Sequence, residues 1–335
     1  MGPRSRGRSS SGDDAGVQGV KQSANLRGYV VALIGTAVWS ASAVFISFLT
    51  TRFRMPPLVL AFWRDLLVTC TLAGALALFA RRFLQISRQQ VPFFALYGLV
   101  LAVFNSLWTV SVGLNGAAVA TVLIYISPAF TALIGWRLFN ERITPPKLLA
   151  IGLCLVGCVF ASGANDRASW HVNAPGIVVG LGTGLAFTFY SLLGKTSSTK
   201  GINPWTATLY AFAFGSAFLL LLQRPETILW LSRPLGENPT GWHEATLGWG
   251  TMVLLAIGPT LGGYGLYTVS LGYLPTSTAN LIITLEPAMT AGLAYVFLGD
   301  RLTLSQLLGS AIVLVGVFLL RLTHHFPRGS DQPTN

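Results

Sequence analysis

The sequence predicts an all-α integral membrane protein, with ten transmembrane helices arranged as two inverted-topology five-helix repeats. Three observations carry that expectation. Hydrophobic residues make up 52% of the 335 and charged residues only 10%, with a mean hydropathy of +0.61. A soluble domain carries about 25% charged residues to cover its wet surface. The apolar residues gather into ten runs, each close to the roughly 20 residues that cross about 30 Å of hydrocarbon. Finally, the stretch 110–160 recurs without a gap, shifted by 159 residues, at 269–319.

The recurrence is more than shared greasiness. Val110/Val269, Ser111/Ser270, Gly113/Gly272, Pro128/Pro287, Ala129/Ala288, Thr131/Thr290, Arg142/Arg301, Thr144/Thr303 and Gly157/Gly316 coincide, and Glu141 faces Asp300. About a third of the aligned positions are identical. A self-similarity of this size sets the architecture before any single element is read.

In chain order, residues 1–27 form a basic tail rich in Ser, Gly and Arg, a composition expected to stay disordered. The first repeat spans 28–164, with apolar runs at 28–50, 57–80, 91–112, 117–138 and 147–164. The second spans 165–321, with runs at 174–195, 203–223, 247–271, 276–298 and 304–321, and a tail at 322–335 follows. The first run is too long for a signal peptide, and no small-residue cleavage site accompanies it. Short turns at 113–116 and 272–275 join antiparallel neighbours. Only the 224–246 connection is long, and its 227–231 piece is read as interfacial. Cys70, Cys154 and Cys158 all sit in apolar runs, where packing is their plainest role.

The net charge of +11 is read as the positive-inside signal rather than as a nucleic-acid surface, because basic residues gather beside membrane spans. With the N-terminus in the cytoplasm, 15 Lys and Arg fall inside and 6 outside, with Arg64 in a span. Both termini are therefore expected to be cytoplasmic. Five spans are an odd number, so the second repeat enters the membrane in the opposite sense. Such an inverted pair gives two nearly equivalent shapes, open to either side of a central site, and points to a transporter.

Several residues of the repeat form a familiar pattern. Ser127-Pro128 with Glu141-Arg142-Ile143-Thr144, and Leu285-Glu286-Pro287 with Gly299-Asp300-Arg301-Leu302-Thr303, together with Trp39-Ser40 and Arg64, resemble the EamA-type repeat of the drug/metabolite transporter superfamily. The likeness covers about 28–321. Asp300 stands where that family usually has Glu, and Asp65 beside Arg64 is a departure. The resemblance implies a ten-helix bundle in the bacterial inner membrane that exports amino acids or other small metabolites. It names no single substrate.

Charges inside spans are the first candidates for chemistry, since a centred Arg or Asp costs about 2.5–3.5 kcal/mol on insertion scales. Arg64 is read either as a cation for a substrate carboxylate or as a structural Arg. Asp65, about 100° round the helix, is not expected to stack with it. Glu286 precedes Pro287, which frees a backbone carbonyl near mid-membrane. Its carboxylate is read as a proton carrier, a partner for Arg64 or a cationic group, or simply as part of a fixed kink. Its repeat counterpart is Ser127, so the halves agree in bend and differ in charge. By analogy with the family, Trp39, Asn105, Trp108, Tyr125, Tyr190, Tyr264 and Tyr267 line the cavity, packing being the alternative role for each ring. Gly176, Gly180 and Gly184 bare one helix face to a close neighbour, while Gly262, Gly263 and Gly265 offer pliancy.

No HExxH, GxSxG or zinc-ligand spacing is present, so no catalytic residue, metal or cofactor is assigned and no enzyme is expected. The leading expectation is a secondary transporter of an amino acid or related metabolite. A drug/cation or sugar-phosphate carrier of the same fold, and a non-transporting scaffold or sensor, are the alternatives. The partners implied are a small-molecule substrate and the bilayer, not nucleic acid. Protons, a counter-solute and a homodimer stay open.

Overall fold

The structure, a computed structural model, describes residues 11–127, 129–130, 133–134, 145–161, 167–223, 241–270, 273, 282–283 and 285–325. Pro128, the Glu141-Arg142-Ile143-Thr144 motif and the 227–231 piece lie outside the described residues. All regular structure among the described residues is helical.

Helix α1 runs Ser11–Arg52 without interruption. Disorder was expected over 1–27, yet the helix reaches back to Ser11. Between Ser11 and Arg52 there is no proline, and a helix nucleated in the membrane propagates cheaply into its flank. Helix α2 (Pro57–Phe79) opens on a proline at its first position, where the missing N–H would have no intrahelical partner anyway. Helix α3 (Val91–Asn115) stops at Gly116, whose φ of 77° suits a residue without a β-carbon. Helix α4 (Ala117–Ile124) breaks at Tyr125. Helix α5 covers Pro145–Ala161. Helix α6 (Arg167–Thr199) is kinked at Asn173, just before Pro175. Helix α7 (Pro204–Leu222) is capped by the Asn203 side chain, which accepts from Trp205 N at 2.9 Å.

The eighth span comes in three pieces: α8 (Gly241–Leu255), a π-helical segment (Ala256–Gly262) and α9 (Gly263–Ser270). Pro259 lies in that segment and brings no backbone donor, so the ladder widens there. The Thr260 hydroxyl donates to Leu255 O at 2.9 Å, five residues back, and satisfies one of the carbonyls left over. Helix α10 (Glu286–Leu298) ends at Gly299 with φ of 72°, and α11 runs Leu304–His325.

Five described helices are long and apolar enough to cross a membrane: Leu26–Arg52, Pro57–Phe79, Arg88–Asn115, Asn173–Gly194 and Pro204–Leu222. Leu148–Ala161 and Leu304–Leu319 are shorter apolar helices. The bundle is inside-out relative to a soluble protein. Leu78, Phe79, Leu221, Val296 and Phe297 are exposed, while Arg64, Asp65, Asn105, Thr109, Ser111 and Thr290 are buried. That distribution is the one a hydrocarbon solvent enforces.

Packing follows the sequence repeat. The α3–α6 pair has its counterpart in α1 against α9 and the π-helical segment, and α4–α6 in α10–α1. The α3–α7 pair has its counterpart in α2 against α8 and the π-helical segment. The last helices of the two halves, α5 and α11, cross at the equivalent glycines. A β-carbon on Gly157 would lie 2.7 Å from Val313 N, and one on Gly316 would lie 3.0 Å from Cys154 N. Subtracting 159 from 313 gives 154, so the two contacts are the same contact seen from each side. Gly309 meets Ala161 and Gly157, whereas Gly316 meets Ala150 and Cys154. Partner numbers fall as α5 numbers rise, so the helices are antiparallel. Small residues at the crossing let the backbones touch, which is how helices associate where no hydrophobic drive exists between them. The Gly180–Gly184 face of α6 is used similarly, with Leu123 and Ile126 lying against it.

Candidate functional site

Three groups of polar and aromatic side chains occupy the interior. The first lies between α2, α3 and α7. Asn105 Nδ2 donates to both oxygens of Asp65, at 2.9 and 2.7 Å, and Arg64 Nε lies 3.4 Å from Asp65 Oδ1. Asp65 is fully buried, and Arg64 and Asn105 are each only 3% exposed. Arg64 and Asp65, about 100° apart round α2, still touch through their side chains. A run of α2, including Leu60, Ala61, Phe62, Arg64 and Asp65, is buried, so its interior arc is wide enough for both side chains to turn inward and meet. Close approach of α3 and α7 at Gly98 and Gly215 brings the walls together, and a β-carbon on Gly215 would lie 3.7 Å from Asp65 Oδ2.

The second group is aromatic. Trp39 on α1 packs its ring 4.6 Å from Tyr264 and 6.4 Å from Tyr267 on α9. The Tyr264 hydroxyl donates to Tyr190 on α6 at 3.0 Å. Tyr190 in turn packs against Tyr97, Phe104 and Phe187, with ring centroids 5.0 to 6.2 Å apart. Tyr97 and Tyr190 are buried, whereas Trp39, Tyr264 and Tyr267 are partly exposed, so a deep floor carries a more open rim. A β-carbon on Gly263 would meet Trp39 at 3.2 Å, so glycine there lets the rim close on α1. Trp39, Tyr190 and Tyr264 are brought together. Tyr97, Phe104 and Phe187 were not singled out in the sequence, although Phe104 adjoins Asn105 and Phe187 stands one turn before Tyr190. Trp108 goes elsewhere, into the apolar core with Ile46, Leu49, Val59 and Leu60.

The third group joins the two broken spans. Tyr125 marks the break after α4, and Glu286 opens α10 just before Pro287. Proline has no N–H for the carbonyl four residues back, which here is Ile283 O. The Tyr125 hydroxyl stands in, 2.7 Å from Ile283 O and 2.9 Å from Glu286 Oε2. So the carbonyl freed by Pro287 is recaptured by the opposite half. The carboxylate beside Arg64 is Asp65, and the partner of Glu286 is Tyr125; the sequence had left both assignments open. Ile282 packs on Ala32, and Thr290 Oγ1 donates to Ser40 O at 3.1 Å. That parallel register sets Glu286 level with Thr36, about one turn from Trp39.

Both halves thus supply side chains to one interior, and the Tyr125 contacts with Ile283 and Glu286 cross from one half to the other. The comparison with known families is decisive at this point. The model of the EamA-like transporter family matches twice, over residues 26–163 and 174–322. The chain belongs to the EamA-like transporter family. Among its relatives, an uncharacterized transporter of Archaeoglobus fulgidus is 27% identical over 66% of this chain and 74% of its own length. The uncharacterized transporter YwfM of Bacillus subtilis is 26% identical over 74% of this chain and 79% of its own. The threonine/homoserine exporter RhtA of Escherichia coli is 29% identical over 65% of this chain and 67% of its own. A solved crystal structure 17% identical in sequence aligns over 90% of this chain and 99% of its own, with a TM-score of 0.57, which bears on the fold alone. As an EamA-family protein, the chain is a multi-pass membrane transporter.

Proposed function

We propose that this transporter exports a small amino-acid-like metabolite across the bacterial cytoplasmic membrane by alternating access between two inverted five-helix repeats. The observation that carries the proposal is the junction of two broken helices, one from each half, at Tyr125, Ile283 and Glu286. Discontinuous helices at a repeat interface are where secondary transporters hold substrate and coupling ions. The antiparallel, repeat-equivalent crossing of α5 and α11 supports the inverted sense, because antiparallel helices exchange only about an axis perpendicular to them, which lies in the membrane plane.

The three groups divide the work. Arg64 gives its Nε to Asp65, leaving the terminal nitrogens of its guanidinium fork for a substrate carboxylate, which such a fork binds bidentately. The rim of Trp39, Tyr264 and Tyr267 and the floor of Tyr97 and Tyr190 receive the rest of the molecule, presenting flat apolar faces with hydroxyl tips. Glu286 serves the proton. A tyrosine hydroxyl has one proton to give, and Tyr125 faces two acceptors. Both are satisfied when Tyr125 donates to Ile283 O and a protonated Glu286 donates to the Tyr125 oxygen. Separation of α4 from α10 removes that arrangement and lets Glu286 release its proton, which couples flux to a proton gradient. An amino-acid-like substrate is favoured by the 29% identity to RhtA.

The test is efflux from proteoliposomes holding purified protein, with threonine, homoserine and a panel of other amino acids, cationic drugs and sugar phosphates inside. Wild type is expected to release at least one amino acid faster than empty vesicles, with Glu286→Gln losing the response to a pH gradient. Release of sugar phosphates or drugs alone would overturn the substrate class. No release of any compound would overturn the transport reading.

A further inference from the structure

Residues 80–92 contain Arg81, Arg82 and Arg88 and no Asp or Glu. They cap the end of α2 on the side that the Lys and Arg bias makes cytoplasmic. Arg81–Leu84 forms a 3₁₀ turn pinned to α7: the Thr206 hydroxyl donates to Phe83 O at 2.8 Å and the Tyr210 hydroxyl to Leu84 O at 2.5 Å. Two guanidinium groups are therefore set in place. Arg81 Nε donates back to Ala77 O at 2.8 Å, which turns its head toward the membrane. Arg82 sits over the Phe83 ring, its Cζ 4.7 Å from the centroid.

Directly beside them is an apolar groove of about 350 Å³ between α2, α7 and the π-helical segment, lined by Leu72, Ala75, Phe79, Phe83, Trp205 and Leu261. Phe83 belongs to both features: its ring carries Arg82, and it lines the groove. Leu78 and Phe79, 79% and 88% exposed, flank it, so it opens sideways into hydrocarbon. A larger groove, about 630 Å³ between α10 and α11, has Asp300 beside Arg301 at its mouth, so its charges oppose. At the α2 groove they add.

We propose that the groove between α2, α7 and the π-helical segment binds an anionic phospholipid, with an acyl chain along Leu72, Ala75 and Leu261 and the phosphate on Arg81 and Arg82. Charge decides the occupant: two clustered guanidinium groups with no neighbouring carboxylate in 80–92 select a negative headgroup, and the lateral opening selects a molecule already in the bilayer. The site also touches the moving parts. Leu261 belongs to the π-helical segment, and Tyr264, three residues on, is in the rim of the candidate substrate site. A chain lying against Leu261 holds the turn by which that rim would shift, so the lipid acts as a regulator of rim closure.

Native mass spectrometry of the full-length protein tests this without any transported solute. Phosphatidylglycerol and phosphatidylcholine of identical chains are added in competition to detergent-solubilised protein, and size-exclusion profiles verify folding of each variant. Each juxtamembrane basic residue is worth about five-fold in affinity for anionic lipid. Arg81→Gln/Arg82→Gln is therefore expected to lower phosphatidylglycerol retention about 25-fold while leaving phosphatidylcholine unchanged. Ala75→Trp fills the groove and is expected to reduce retention of both lipids with the arginines intact. In wild type, phosphatidylglycerol should slow amide hydrogen exchange across Ala256–Gly262, and this slowing should disappear in the Gln variant. Equal retention of the two lipids by wild type, or variants indistinguishable from it, overturns the proposal. Because no step reads flux, that failure is separate from a failure of the transport reading.

Discussion

Replacing Tyr125 by Phe and Glu286 by Gln should have unequal effects on stability, and the inequality tests the protonation assigned to the junction. In wild type the Tyr125 hydroxyl serves Ile283 O at 2.7 Å and Glu286 Oε2 at 2.9 Å. Tyr125→Phe removes that hydroxyl and takes from the carbonyl that Pro287 freed the donor it has in Tyr125. An unsatisfied buried acceptor costs about 1–3 kcal/mol, which should appear as loss of stability in detergent-based unfolding. Glu286→Gln keeps the length of the side chain and supplies an amide that can donate to the Tyr125 oxygen, as a protonated carboxyl does. Its expected cost is below about 1 kcal/mol, within the net worth of one ordinary hydrogen bond. The double variant should lose less than the sum of the two, because the residues share one network. If Glu286→Gln proves as destabilising as Tyr125→Phe, the junction holds an ionised carboxylate and the proton assignment fails.

Three further outcomes are expected. Asp65→Ala leaves the Arg64 guanidinium buried without its carboxylate, a loss of about 3–5 kcal/mol; joint replacement Arg64→Met/Asp65→Leu/Asn105→Leu, which also removes the amide that donates to Asp65, should recover most of that in unfolding assays while abolishing efflux, and an unrecovered triple variant would count against the group. Gly157→Val and Gly316→Val should lower stability by similar amounts, since both side chains would strike the same α5–α11 contact from opposite sides, and a several-fold disparity would contradict the symmetry. Reporter fusions should place both termini in the cytoplasm and the Asp300 loop outside; an external C-terminus would remove the inverted arrangement.

The architecture was legible because membranes simplify the reading. Hydrocarbon demands long apolar runs, so composition alone marked the spans, and the 159-residue shift revealed the halves. The start of α10 at Glu286, just before Pro287, agrees with proline's missing donor. What the sequence could not reveal was pairing across helices. Nothing local says that Asn105 closes on Asp65 forty residues away, or that Tyr125 fills the carbonyl Pro287 exposes. Asp65 stood out only as a departure beside Arg64, and helical spacing turns it about 100° from that residue; the wide buried arc of α2 brings the two together. Trp108 had the chemistry of a site residue and the position of a core one, one turn from Asn105. The π-helical segment was signalled only indirectly, by Pro259 and the glycines after it.

Alternating access is tested most directly by reaching one residue from both sides. Trp39→Cys, in a chain with Cys70, Cys154 and Cys158 replaced by Ala, is exposed to a membrane-impermeant thiol reagent in right-side-out and inside-out vesicles. Labelling is expected from both sides, each slowed by a transported amino acid, with a proton gradient shifting the balance between them. Labelling from one side alone under every gradient and substrate condition would contradict the account.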